Sequence, residues 1–174
     1  MPPIIHWITS SFPCELTLRS TPNGPRIFRE PIKEIGLLHN GQDSWTNRIL
    51  QAGEVLPLEP SGRLFHVRAD VSIPAGARLI FNIRGLPIIL TSKTLESGTS
   101  PASVFGQIKA VEILVDRTSI EVFVNHGEIS CTRFVLPHEN GLAAMAAGGS
   151  VTIQSLTVCP LAPAWTNASG SLAD

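Results

Sequence analysis

The sequence contains no tyrosine and little charge. Charged residues are 16% of the 174, and 13 Lys+Arg against 14 Asp+Glu leave a net charge of −1 with histidine neutral. Without a basic excess there is nothing to neutralise a phosphate backbone, which argues against a nucleic-acid partner. A net charge near zero with 43% apolar residues also excludes intrinsic disorder. Long hydrophobic runs are missing: stretches such as Leu86 to Leu90 fall far below the ~18 residues of a membrane-spanning helix. Met1 to Phe12 has no basic start, apolar stretch and small-residue cleavage site, so no signal peptide is expected. Neither a membrane nor a compartment is indicated. Cysteine is scarce, and Cys14, Cys131 and Cys159 are too widely spaced for a disulfide framework or a CxxC metal site. We read them as small apolar residues in or near a core, the alternative being one disulfide and a spare thiol.

Motifs of chemistry are scarce too. His6, His39, His66, His126 and His138 show no H-x-H, H-x3-H or HExxH spacing, so no metal site is expected. There is no G-x-S-x-G nucleophile elbow. Gly98 and Gly148-Gly149 lack the glycine spacing, lysine and following helix of a phosphate loop. No cofactor is implied.

What the chain does have is short apolar runs punctuated by 14 Gly and 14 Pro. Residues 15–30 read as a hairpin around Thr21-Pro22-Asn23-Gly24-Pro25, a strong turn signal. A short strand is expected around Ile32 to Leu38. Phe65, Val67, Ala69 and Val71 alternate with His66, Arg68 and Asp70, the pattern of a half-buried strand. Strands follow at 78–83 and 86–91, split by Arg84-Gly85, and 92–106 reads as a loop. The strongest segment is 111–136, a three-stranded antiparallel meander turning at 116–119 and at Asn125-His126-Gly127. Gly141 to Ala147 gives the one hint of helix, and 151–158 is a last alternating strand. Roughly ten short strands with almost no helix predict an all-β antiparallel sandwich. Residues 12–160 form this module, 1–11 a linker remnant and 161–174 a flexible tail.

Two features suggest chemistry. Pairing 111 with 124 sets 112 opposite 123 and 114 opposite 121, so Glu112 and Glu121 share a face on a diagonal, about 7–8 Å apart at Cα. Paired carboxylates at such separations perform glycoside hydrolysis. Yet each lies opposite an apolar residue, Phe123 and Leu114, in a regular ladder without a cleft, which favours a solvated or ion-paired face with Arg117 or Arg133 as partners. Trp45, in the polar context Asp43-Ser44-Trp45-Thr46-Asn47, is the best candidate for stacking on a sugar, against the alternative of a Trp capping the sandwich edge.

The run from Val111 to Glu128, with Val115-Asp116-Arg117-Thr118-Ser119-Ile120-Glu121-Val122-Phe123-Val124-Asn125-His126-Gly127-Glu128 at its heart, resembles the C-terminal β-sandwich of glycoside hydrolase family 32, the invertase, levanase and inulinase group. There the pattern is V-D-R-[ST]-S-[IV]-E-V-F-V-N-[DH]-G-E. Phe12 to Gly24 resembles the P-R-E-L-T-L-R-x-T-P-D-G strand of the same domain, with Cys14 in place of the Arg, and Pro31-Ile32-Lys33-Glu34-Ile35 follows in order. The resemblance implies a lectin/concanavalin-like jelly-roll sandwich. In that family the chemistry sits on an N-terminal five-bladed propeller, in motifs W-M-N-D-P-N-G, R-D-P and E-C that this sequence does not contain. No catalytic residue is therefore carried over. The resemblance implies a non-catalytic module of a fructan- or sucrose-cleaving enzyme, packing on the propeller or forming homo-oligomers. A free-standing carbohydrate-binding module that takes fructans or other oligosaccharides through Trp45 is the alternative. A complete small glycosidase using Glu112 and Glu121 is the least favoured. Leu114 and Phe123, on the face opposite the meander's valines and isoleucines, are expected to form the interdomain or oligomer surface.

Overall fold

The computed structural model describes residues 11–58, 63–98, 100–134 and 141–164. In chain order, β1 (Cys14–Thr21) and β2 (Gly24–Pro31) form a hairpin, followed by a 3₁₀ helix (Lys33–Leu38), β3 (Asp43–Leu50), β4 (Val55–Pro57), β5 (Phe65–Ser72), β6 (Arg78–Ile83) and β7 (Leu86–Leu90). Then come β8 (Thr94–Glu96), β9 (Ala102–Ser103), β10 (Ala110–Val115), β11 (Ser119–Val124), β12 (Ile129–Phe134), β13 (Leu142–Ala147) and β14 (Val151–Pro160). Two six-stranded antiparallel sheets pack face to face, one ordered β12-β11-β10-β5-β14-β3 and the other β4-β13-β6-β7-β8-β9. The chain crosses between them after β3, β4, β5, β9, β12 and β13, which gives the sandwich its jelly-roll character.

Period-2 alternation explains the core. Val67, Ala69, Val71, Val111, Ile113, Val115, Ile120, Val122 and Val124 line the inner face of the first sheet, against Leu79, Phe81, Ile83, Ile88, Leu90, Ala144 and Ala146 of the second. The meander's register is as its alternation dictates, with Val111 opposite Val124, Glu112 opposite Phe123 and Leu114 opposite Glu121. Between β6 and β7, Arg84 and Gly85 both take positive φ (54° and 83°), the type I′ geometry that suits the twist of a two-residue hairpin.

Three local expectations are corrected. Residues 33–38 are a 3₁₀ helix rather than a strand. Ile32, Ile35 and Leu38 all join the cluster beneath, and their spacing of three is the period of a 3₁₀ turn. Residues 142–147, the hint of helix, are β13, with Leu142, Ala144 and Ala146 buried. Here burial between sheets overrides alanine's helix propensity. The 92–106 segment holds two short strands, β8 and β9.

The larger correction concerns Leu114 and Phe123. Expected to be an exposed interdomain or oligomer surface, they are 0% and 1% exposed. The β1-β2 hairpin and the 3₁₀ helix fold back as an arm over the outer face of the first sheet. They bury Leu114 and Phe123 with Ile35 and Leu161, walled by Phe12, Cys14, Ile32, Leu38 and Leu64. The second apolar face is covered by the chain itself. Leu161, assigned to the tail, is buried and bridges His39, so the ordered part extends past β14. Residues 1–10 and 165–174, most of the expected linker and tail, lie outside the described residues. All three cysteines are free thiols, Cys159 buried and the other two half-buried.

The arm lands on the β11–β12 turn, where the Arg29 N–H donates to the Gly127 carbonyl at 3.2 Å. Gly127 has φ +80°, and a Cβ there would sit 2.2 Å from the Arg29 carbonyl oxygen. Gly127→Ala should therefore cost about 1–3 kcal/mol, as backbone strain combined with displacement of the arm. Urea unfolding with Gly106→Ala as control checks this, since nothing lies within 4 Å of a Cβ at Gly106.

Candidate functional site

The outer face of the first sheet carries its polar chemistry in two adjacent rows. One runs Cys159–His66–Leu114–Glu121–Thr132 and the next Thr157–Arg68–Glu112–Phe123–Ser130. Glu112 and Glu121 are diagonal neighbours, as the sequence requires, but their partners are not Arg117 or Arg133. Glu121 is 0% exposed. Its Oε1 accepts the Phe12 N–H at 2.6 Å, and its Oε2 accepts Arg29 Nη2 at 2.7 Å and the Thr132 hydroxyl at 3.4 Å. The Arg29 guanidinium also lies 5.3 Å from the centre of the Phe123 ring, within cation–π range.

Glu112 accepts from His66 Nε2 at 2.7 Å, and His66 Nδ1 lies 3.0 Å from Nε2 of His39. With Glu112 ionised, His66 donates through Nε2, and in the neutral imidazole its Nδ1 then accepts, which makes His39 the donor. That orders a chain His39→His66→Glu112 that ties the segment after the 3₁₀ helix to the sheet. Both carboxylates thus hold the arm down. Sequence spacing could not reveal this, because Arg29 and Glu121 are 92 positions apart.

Trp45 is paired with Leu156, and cross-strand partners point to the same side. It is half-buried against the inner core at the sheet's edge strand, so it caps the sandwich edge and does not offer a free plane on the outer face. Where the arm ends, the outer face opens into a shallow depression of about 290 Å³, lined among others by Arg68, Asp70, Glu112, His126, Ser155 and Thr157. Among the described residues, no group of three or more His, Cys, Asp or Glu is placed to hold a metal ion, and no helix is long and apolar enough to cross a membrane.

Such an antiparallel sandwich, with its carboxylates locked in structural bonds, belongs to the class of jelly-roll modules. Residues 91–160 match the family described as glycosyl hydrolases family 32 C terminal. It is 28% identical over 189 residues to a levanase of Bacillus subtilis (strain 168), covering 90% of this chain and 28% of the relative. With a sucrose-6-phosphate hydrolase of Klebsiella pneumoniae it shares 28% over 114 residues, covering 62% of this chain and 23% of the relative. The chain thus spans about a quarter of these relatives' lengths. Its fold is similar to that of fructan 1-exohydrolase IIa from Cichorium intybus (TM-score 0.65, 16% identity, 84% of this chain and 40% of that one). It is similar also to exo-inulinase from Aspergillus awamori (TM-score 0.67, 17% identity, 89% and 36%).

Two outcomes follow from the clasp. Arg29→Ala leaves Glu121 buried without its counter-charge and should destabilise the chain by about 3–5 kcal/mol, whereas the double variant Arg29→Met/Glu121→Leu should recover most of that loss. Chemical denaturation of both variants at neutral pH distinguishes the two. The second outcome concerns pH. Burial, the neighbouring His66 and Arg68 hold the His39 pKa below its ordinary 6.5. The folded state therefore favours neutral His39, and this contribution is complete above pH ~6.5 and lost as pH falls through the lowered value. Unfolding midpoints should decline on acidification in that window, and His39→Gln should flatten the decline.

Proposed function

We propose that this chain is a non-catalytic module of a fructan- or sucrose-cleaving glycoside hydrolase, packing against a catalytic propeller and supporting it. The observation that carries the reading is Glu121. A general acid or nucleophile must reach a scissile bond, and a carboxylate with no exposure, hydrogen-bonded through both oxygens, reaches none. Its diagonal neighbour Glu112 is engaged by His66. The complete small glycosidase is the reading this geometry disfavours.

The docking half of the proposal rests on the arm. Leu18 pairs with Ile27, and Leu16 lies two residues along on the same face. These three stand 65–71% exposed (Leu16 66%, Leu18 71%, Ile27 65%), an aliphatic ridge continuing outward from the face that carries Arg29. Contiguous exposed apolar surface marks interaction sites. This ridge replaces Leu114 and Phe123 as the surface offered to the propeller or, in the isolated chain, to a second copy.

Purified protein incubated with sucrose, inulin or levan should release no fructose. Release that disappears in Glu112→Gln or Glu121→Gln would overturn the reading.

A further inference from the structure

Beside the sealed half of the outer face lies the depression, and its side chains are arranged unlike an ordinary solvated sheet. Small residues make the hollow: Ala110, Ser155 and Thr157 sit among the longer Arg68, Asp70 and Glu112. Arg68 faces Glu112 across the β5–β10 ladder, and Asp70 lies on the same strand and face. Yet among the described residues Arg68 forms no ion pair, although its guanidinium comes within reach of the Cys159 thiol. Asp70 uses only Oδ2, which accepts the Ser155 hydroxyl at 2.6 Å, and Glu112 uses only Oε1. A guanidinium and two carboxylate oxygens therefore surround the hollow with unspent hydrogen-bonding capacity.

The geometry points to a binding site for a neutral polyhydroxylated ligand, one sugar unit of a fructo-oligosaccharide, with Asp70 and Glu112 accepting from hydroxyls and Arg68 donating to them. The two carboxylates disfavour an anion, and Arg68 disfavours a cation. A sugar ring supplies donors and acceptors in equal measure without charge. The choice of a fructoside rests on the function proposed above. The hollow itself does not. An open site of this size with no stacked tryptophan gives weak binding, with Kd of about millimolar order.

The test is a ¹H–¹⁵N NMR titration of the full chain with 1-kestose, alongside cellobiose and inorganic phosphate. The expected result is a saturable shift confined to amides at 68–70, 110–112 and 155–157 with 1-kestose. Arg68→Ala and Asp70→Ala, both at exposed positions, should each weaken it by about tenfold or more while the remaining spectrum stays unchanged. No saturable shift up to ~50 mM, shifts centred on Trp45, or binding unaffected by both variants would overturn the site. Equal response to cellobiose would overturn the fructoside assignment, and competition by phosphate would overturn the neutral-ligand class. None of these outcomes bears on fructose release, so failure here is distinguishable from failure of the module reading.

Discussion

A carboxylate with no solvent exposure in the middle of a β-strand, Glu121, fixes the outer half of this molecule. Stripping water from an ionised carboxylate costs several kcal/mol unless a counter-charge and hydrogen bonds replace it. Three donors supply that replacement: the Arg29 guanidinium, the Phe12 N–H and the Thr132 hydroxyl. Two of the three belong to the amino-terminal segment, so Glu121 is satisfied only when that segment lies over the sheet. Once there, the segment also removes Leu114 and Phe123 from water along with Ile35 and Leu161. The polar bond chooses the position of the arm and the apolar contacts hold it. At the far end, the close approach at Gly127 admits the arm's backbone where any side chain would collide.

The same constraint decides what the carboxylates can do. On sequence alone, Glu112 and Glu121 have the spacing of a hydrolytic pair, and their diagonal register is real. Their environments make them something else. One is sealed against Arg29, and the other terminates a histidine chain that begins in the arm. Catalytic carboxylates stand at the floor of a cleft where one oxygen can meet substrate. Glu121 stands under a lid that its own hydrogen bonds keep closed, and Glu112 borders a shallow hollow with no cleft around it, one oxygen held by His66.

How much of this is legible in the sequence depends on the distance over which each choice is made. The meander from 111 to 134 follows from alternation and turn residues within a few positions, and its register is observed as the pattern requires. The β1-β2 hairpin is equally local. What escapes is partner choice across the chain. Nothing near Arg29 indicates that its counter-charge lies 92 residues on, so the hairpin is recognised while its role as a lid is not. Short elements fail for a different reason. At Ile32, Ile35 and Leu38, three apolar residues fit a 3₁₀ stripe or a frayed strand equally well, and in β13 the alternation is carried by alanines too small to stand out. Trp45 is a case of side rather than identity: a tryptophan among polar neighbours reads as exposed, but its place opposite the buried Leu156 turns it toward the inner core.

The outer face therefore reads in two halves set by side-chain size and by the reach of the arm. Under the arm, Leu114, Phe123 and Ile35 fill the space and Glu121 provides the fully buried polar anchor. Beyond it, Ala110, Ser155 and Thr157 leave space unfilled, and Arg68 and Asp70 border it without pairing to each other. If the face served only to be wetted, a direct salt bridge between Arg68 and the Glu112 opposite it would be favoured, since opposed charges on adjacent strands gain from closing the gap. Their separation across an empty hollow preserves donors and acceptors for something brought from outside, in a molecule whose other carboxylate has already been committed to holding the fold.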